Sequence, residues 1–125
     1  MKYFFATCLA LFLFTGLPAQ GYEPDCDDPR TQMDMNECAQ REFKAADQAL
    51  NVAYKKLMAL VDDDLEAKIR QAQRTWVKFR DESCECERFL YDGGSISPLI
   101  WANCRTRATQ QRTEELNSLL DQLDM

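Results

Sequence analysis

Apolar residues recur at steps of three and four along three stretches of this chain. The first stretch is Met35, Cys38, Phe43, Ala46, Leu50, Ala53, Tyr54, Leu57 and Val61. No Gly or Pro interrupts it, and that period marks an amphipathic helix. Thr31-Gln32-Met33-Asp34 stands just before it in the form of a capping box, with Thr31 as N-cap and an acid three residues on. The second stretch, Leu65, Ile69, Ala72, Trp76, Phe79 and Ser83, predicts a helix to about Leu90 with Trp76 and Phe79 as core anchors. Asp62-Asp63-Asp64 separates the two. Aspartates there cap free backbone N–H groups and suit the positive end of a helix dipole. The third stretch is Trp101, Cys104, Ala108, Leu116, Leu119, Leu120 and Leu123, with Ser97 as the expected N-cap and Pro98 at the first helical position. Strand patterns and internal repeats are absent. The pattern predicts an all-α fold, a small three-helix bundle made of a long helical hairpin plus a third helix.

The ends of this pattern bound the domain. Lys2 is followed by an uncharged apolar run from Tyr3 to Phe14, then Gly16, Pro18 and the small residues of Ala19-Gln20-Gly21. That is the layout of a secretory signal peptide, and the run is too short for a bilayer-spanning anchor. Cleavage is expected after Gly21, with Ala19 as the other option. Residues 1–21 are read as signal peptide and 22–125 as one domain, with no membrane anchor after cleavage. Residues 22–30, YEPDCDDPR, form an irregular lead-in. The localisation that follows is periplasmic or secreted.

Charge and cysteines then narrow the function. Removing residues 1–21 takes away Lys2 and no acid, leaving 14 basic against 21 acidic residues, a net charge of −7. That balance argues against nucleic acid and anionic membranes as partners and permits a basic protein partner. Five cysteines remain, Cys26, Cys38, Cys84, Cys86 and Cys104. In an oxidising compartment they form a disulfide framework, and an odd count leaves a thiol over. The chain has no histidine, which removes the commonest general base and metal ligand. A serine nucleophile would need a lysine or acid partner, and Ser95 has no lysine near it in sequence. The motif CEC at 84–86 lacks the CxxC spacing of a redox dithiol. The expectation is a protein that is not an enzyme, with no cofactor, no metal and no catalytic residues.

Several phrases fall into one pattern: MNECA at 35–39, ADQALNVAY at 46–54, AQRTWVKFRD at 72–81 followed by Cys84, GGS at 93–95, and Cys104 followed by RATQQRTEEL at 107–116. Together they resemble the LprI-like lysozyme-inhibitor family of small exported bacterial helical domains, over about residues 26–120. The resemblance implies two staples, Cys26 with Cys38 and Cys84 with Cys104, leaving Cys86 as the free thiol. Cys86 departs from the pattern, which has an apolar residue at that place. Counting 100° per residue from Leu65, Cys86 falls about 60° to one side of the stripe and Cys84 about 100° to the other. Cys86 is therefore expected in the core as a small apolar residue, although the same angles also admit a Cys86–Cys104 bond.

The resemblance implies a binding module, a periplasmic inhibitor that occludes the lysozyme cleft, and so a lysozyme as the basic partner. The alternative is a non-inhibitory structural or stress-related interaction protein of the bacterial envelope. Among contact residues, Gly93, Gly94 and Ser95 come first, because a short loop flanked by staple cysteines sits on a rigid scaffold. Arg80 and Asp81, in the densest motif, are the next candidates, with Arg112 on the third helix. Arg80 is read first as a residue that pairs inside the bundle, for example with Asp47, ahead of a charged contact with a partner.

Overall fold

The computed structural model describes residues 21–124; the segment read as a signal peptide lies outside the described residues except for Gly21. Three α-helices follow in order, α1 (Gln32–Met58), α2 (Asp63–Phe89) and α3 (Ser97–Leu123), with no strand among the described residues. The all-α bundle expected from the periodicity is present. The capping box forms as read: Thr31 Oγ1 accepts from the Asp34 N–H at 3.0 Å, and Asp34 Oδ2 accepts from the Thr31 N–H at 2.8 Å. Asp62 caps α2, accepting from the Leu65 N–H at 2.9 Å. Ser97 does not cap α3 as expected. Ile96 holds that position without a side-chain bond, and Ser97 is the first helical residue. The preceding turn winds directly into the helix, with Ser97 N–H donating to Gly94 O at 3.1 Å and Ile100 N–H to Ile96 O at 3.1 Å. The Ser97 hydroxyl is free instead to accept from Arg88 Nη1 at 3.2 Å.

α1 and α3 run parallel. Asn36 and Ser95 meet at one end, while Lys56 and Ala59 lie beside Asn117 and Leu120 at the other. α2 runs antiparallel to α3, joined to it successively by Cys84–Cys104, Arg80–Thr109 and Gln73–Arg112. The closest backbone packing is between α1 and α3, which are not consecutive in the chain, while the backbones of α1 and α2 hardly approach each other. Side chains bridge that gap at the lower end. There Leu50, Ala53, Leu57, Ile69 and Leu116 form the buried aliphatic core, with Leu65, Trp76 and Leu120 against it.

Higher in the bundle the interior changes character. α2 buries only Ile69, Arg80 and Cys84, so aliphatic side chains cannot fill the space. Guanidinium groups and aromatic rings alternate instead. Arg105 lies 3.7 Å from the Trp101 ring centre and 3.8 Å from Phe43, and Arg80 lies 5.3 Å from Phe43 and 5.2 Å from Trp76. Arg112 closes the series 5.9 Å from Trp76. Guanidinium is weakly hydrated and planar, so it stacks on rings where an ammonium would hold its water. Burial between the rings lowers the pKa of Arg105 from its ordinary value.

Two placements expected from the stripe are corrected. Phe79 is 67% exposed rather than a core anchor, and Cys86 is exposed rather than buried. Both follow from one shift. The inward seam of α2 is Leu65, Ile69, Trp76, Arg80 and Cys84, so beyond Trp76 it passes through Arg80 and leaves Phe79 outside. With Cys84 pointing in, Cys86 stands about 200° away around the helix and must point out. The staples themselves are those implied by the resemblance: Cys26–Cys38 with Cα atoms 5.6 Å apart and Cys84–Cys104 at 5.5 Å, with Cys86 free. Native protein treated with a chromogenic aryl disulfide should therefore release one equivalent at once, from Cys86. A thiol that reacts only after denaturation would contradict its outward position.

Candidate functional site

The connection between α2 and α3 is short and tied from three sides. Below it, Cys84 and Cys104 join the helices it connects. Within it, Tyr91 N–H donates to Arg88 O at 3.0 Å, Asp92 N–H to Phe89 O at 3.2 Å and Gly94 N–H to Tyr91 O at 3.0 Å. From the side, Asn36 Nδ2 on α1 donates to Ser95 O at 3.0 Å. Gly93 has φ of +76°, the left-handed conformation in which a Cβ is strained and glycine is not. A side chain at Gly94 meets another obstacle, because its Cβ would stand 3.1 Å from the Tyr91 carbonyl oxygen. The two glycines are thus needed by the turn, and Gly93, Gly94 and Ser95 are all exposed at its tip.

Arg88 is the electrostatic centre of this end. Its Nε and Nη2 donate to Glu85 at 2.8 and 2.6 Å, and its Nη1 reaches Asp92 at 3.3 Å and Ser97 Oγ at 3.2 Å. One side chain so links the last turn of α2, the loop and the first residue of α3. The hydrogen bond from Arg88 holds the Glu85 carboxyl below the usual carboxylate range, and the same contact raises the pKa of Arg88 further above its ordinary value.

Beside the tip lies an apolar run that the periodicity did not single out: Phe89 is 67% exposed, Leu90 79% and Tyr91 44%. A search for helical stripes passes over it, because these residues are contiguous and straddle a helix end. The signal was nonetheless in the sequence, as three consecutive large apolar residues directly before Asp-Gly-Gly. Exposed apolar groups on a braced loop are what a protein contact site requires.

The other candidate residues lie elsewhere. Arg80 is only 7% exposed. Its Nε donates to Asp81 at 2.9 Å and its Nη1 to Thr109 Oγ1 at 3.3 Å, and Asp47 lies 3.7 Å away. The expected pairing with Asp47 is present. Arg112 donates to Gln73 at 3.1 Å and to Glu115 at 2.8 Å. Ten residues of α2, about 15 Å of helix, separate Arg80 from Leu90. The structure therefore does not bring Arg80, Asp81 and Arg112 together with the loop.

A braced loop carried on a three-helix scaffold with two disulfides defines the class as a small stapled helical module. Residues 26–116 match the family described as Lysozyme inhibitor LprI, and the chain belongs to that family. A protein of Rhizobium meliloti (strain 1021), described as uncharacterized, is 35% identical over 131 residues, covering 93% of this chain and 94% of its own. The crystal structure of a DUF1311 family protein from Pseudomonas putida KT2440 superposes with a TM-score of 0.66 at 25% identity, covering 71% of this chain and 93% of that one. Among the described residues no helix is long and apolar enough to cross a membrane.

Proposed function

We propose that this protein is an exported, non-catalytic inhibitor of lysozyme that acts by placing the Gly93-Gly94-Ser95 tip in the enzyme's cleft. The observation that carries the reading is the tip itself: narrow, exposed, braced by the Cys84–Cys104 staple and Asn36, and collared by Phe89, Leu90 and Tyr91. A lysozyme cleft presents two carboxylates flanking the scissile sugar bond. Ser95 Oγ and the loop's free N–H groups are donors of the size that such a cleft admits. The apolar collar supplies area at the rim, where a preorganised loop loses little entropy on binding. The acidic balance of the chain suits a basic enzyme and would steer its approach. Two disulfides agree with the periplasm or the outside of the cell as the place of action.

In this reading Gly93, Gly94 and Ser95 are the contact residues, while Arg80, Asp81 and Arg112 act on the partner indirectly, by fixing the scaffold. The test is a cell-wall clearing assay with purified oxidised protein and a basic lysozyme. Wild type should slow clearing at modest molar excess, and added salt should slow association. Ser95→Trp should abolish inhibition, because it adds bulk at a position with neither a positive φ nor the close carbonyl found at Gly94. Ser95→Ala should weaken binding by about 0.5–1.5 kcal/mol, the usual worth of a neutral hydrogen bond. Full inhibition by a folded Ser95→Trp protein would remove the tip from the mechanism. No inhibition by wild type at several-fold excess would favour the alternative, an envelope interaction protein.

A further inference from the structure

The space between α1 and α2 is not filled by the bundle. α3 packs on both helices while their own backbones hardly meet, and a cleft of about 420 Å³ remains between them. That volume lies within the range of small-ligand sites. Leu50 and Val77 give the cleft an apolar surface, and Asn51, Tyr54 and Gln73 supply neutral polar groups. The α2 side also presents Arg70, Arg74 and Arg80, against one carboxylate, Asp47, from α1. Such an excess of positive charge stands out in a chain whose net charge is −6.

The three arginines are not equivalent. Arg80 is engaged by Asp47 and Asp81. Arg70 pairs with Glu66 on its own helix. Arg74 makes no ion pair and no side-chain hydrogen bond among the described residues, and it lines this cleft and a second one beside it. Arg70 and Arg74 are four residues apart, so they stand side by side on one helix face. Like charges at that spacing repel; an anion between them would turn the repulsion into attraction. The face 70, 73, 74, 77 has the period of a packing stripe, yet it carries Arg, Gln and Arg where a helix buried against α1 would carry apolar residues.

We infer that this cleft is a binding site for a small ligand with a carboxylate on an amide-bearing, partly apolar body. Arg74 and Arg70 hold the carboxylate, as planar guanidinium does by paired hydrogen bonds. Leu50, Val77 and the Tyr54 ring cover the body, and Asn51 and Gln73 meet its amide groups. Two sources share that chemistry: an N-acylated acidic sugar and the free C-terminus of a short peptide. The site is separate from the loop. Leu90 is sixteen positions on from Arg74, about 24 Å along the helix, so success or failure of the inhibition assay leaves it standing.

The experiment is amide and arginine side-chain NMR on the oxidised, isotope-labelled protein. Four probes are titrated to millimolar concentration: N-acetylmuramic acid, its neutral counterpart N-acetylglucosamine, N-acetyl-alanyl-alanine, and the C-terminal amide of that peptide. At least one acid probe should give saturable shifts centred on Leu50, Tyr54, Arg74 and Val77, while its neutral counterpart gives none. The acid probe that binds identifies the source. Arg74→Gln, at an exposed position, should weaken binding about 10-fold, as expected for loss of a charge-assisted bidentate contact, with unchanged circular dichroism and melting temperature. Val77→Glu, which puts a carboxylate into the cleft, should abolish binding. The inference is overturned if neither acid binds, if acid and neutral probes bind alike, if the shifts centre elsewhere, or if Arg74→Gln binds as wild type does.

Discussion

Replacing Arg80 with alanine is expected to destabilise the bundle by about 3 kcal/mol, the scale of a large buried truncation combined with an orphaned polar partner. The stem and guanidinium fill the space between Phe43 and Trp76. Thr109, fully buried, would lose the donor to its hydroxyl. The two carboxylates contribute less to the loss. Asp47 and Asp81 have side chains 43% and 44% exposed, so water can solvate them when the arginine is gone. For a domain of this size the melting temperature should fall by about 10–20 °C. Arg80→Met should recover more than half of that loss, because it restores the packing without the charge. If Arg80→Ala melts within a few degrees of wild type, the alternation of rings and guanidinium groups is not what holds the upper half together.

The second large effect is expected from the Cys84–Cys104 staple. It closes a loop with a sequence separation of 20, for which the chain-entropy argument gives about 3 kcal/mol. Both sulfurs are buried between α2 and α3, where those helices lack an aliphatic core. Cys84→Ala with Cys104→Ala should therefore lower stability by about that amount and also loosen the loop, so that inhibition falls more than the folded fraction does. The comparison belongs in a Cys86→Ala background, since a thiol two residues from Cys84 would otherwise exchange into the bond. Cys26→Ala with Cys38→Ala should cost less. Cys26 lies in an exposed lead-in, and the Thr31–Asp34 capping box holds the start of α1 without it. Equal losses from the two pairs, measured by denaturant unfolding, would mean that each acts only on the unfolded chain.

The sequence made the helices legible because local rules settle them. Thr31 and Asp62 cap as their residue types dictate, and the stripe of α1 is buried at Cys38, Ala46, Leu50, Ala53 and Leu57 as its period requires. What a single stripe cannot convey is which neighbour it faces. α2 packs antiparallel along α3 while its backbone hardly meets α1, so its seam moves from the Phe79 side to Arg80. A hydrophobicity count sees Arg80 as surface and Phe79 as core, and the structure holds the reverse. The same shift carried Cys86 outward. The loop glycines were legible as a turn, while the apolar collar at 89–91 was legible only as a contiguous apolar run and not by period, because exposed apolar residues at a helix end have none.

The parallel pairing of α1 with α3 also governs the order in which this chain acquires structure. Asn36 and Ser95, 59 residues apart, touch at one end of that pair, and Leu50 and Leu116 share the core nearer the other. Most of the close backbone packing of α1 is therefore supplied by the last helix to be made. α1 and α2, adjacent in sequence, meet through core side chains at their joined end and hardly at all through their backbones. Closing the α1–α3 pair brings together segments far apart in the chain, a step whose entropic cost grows with the length of the loop closed. A chain stopped short of α3 would lack Leu116, Leu119 and Leu120 from the shared core and would hold two helices that meet only through side chains at one end. The first helix therefore gains its closest backbone neighbour only once the last has been made.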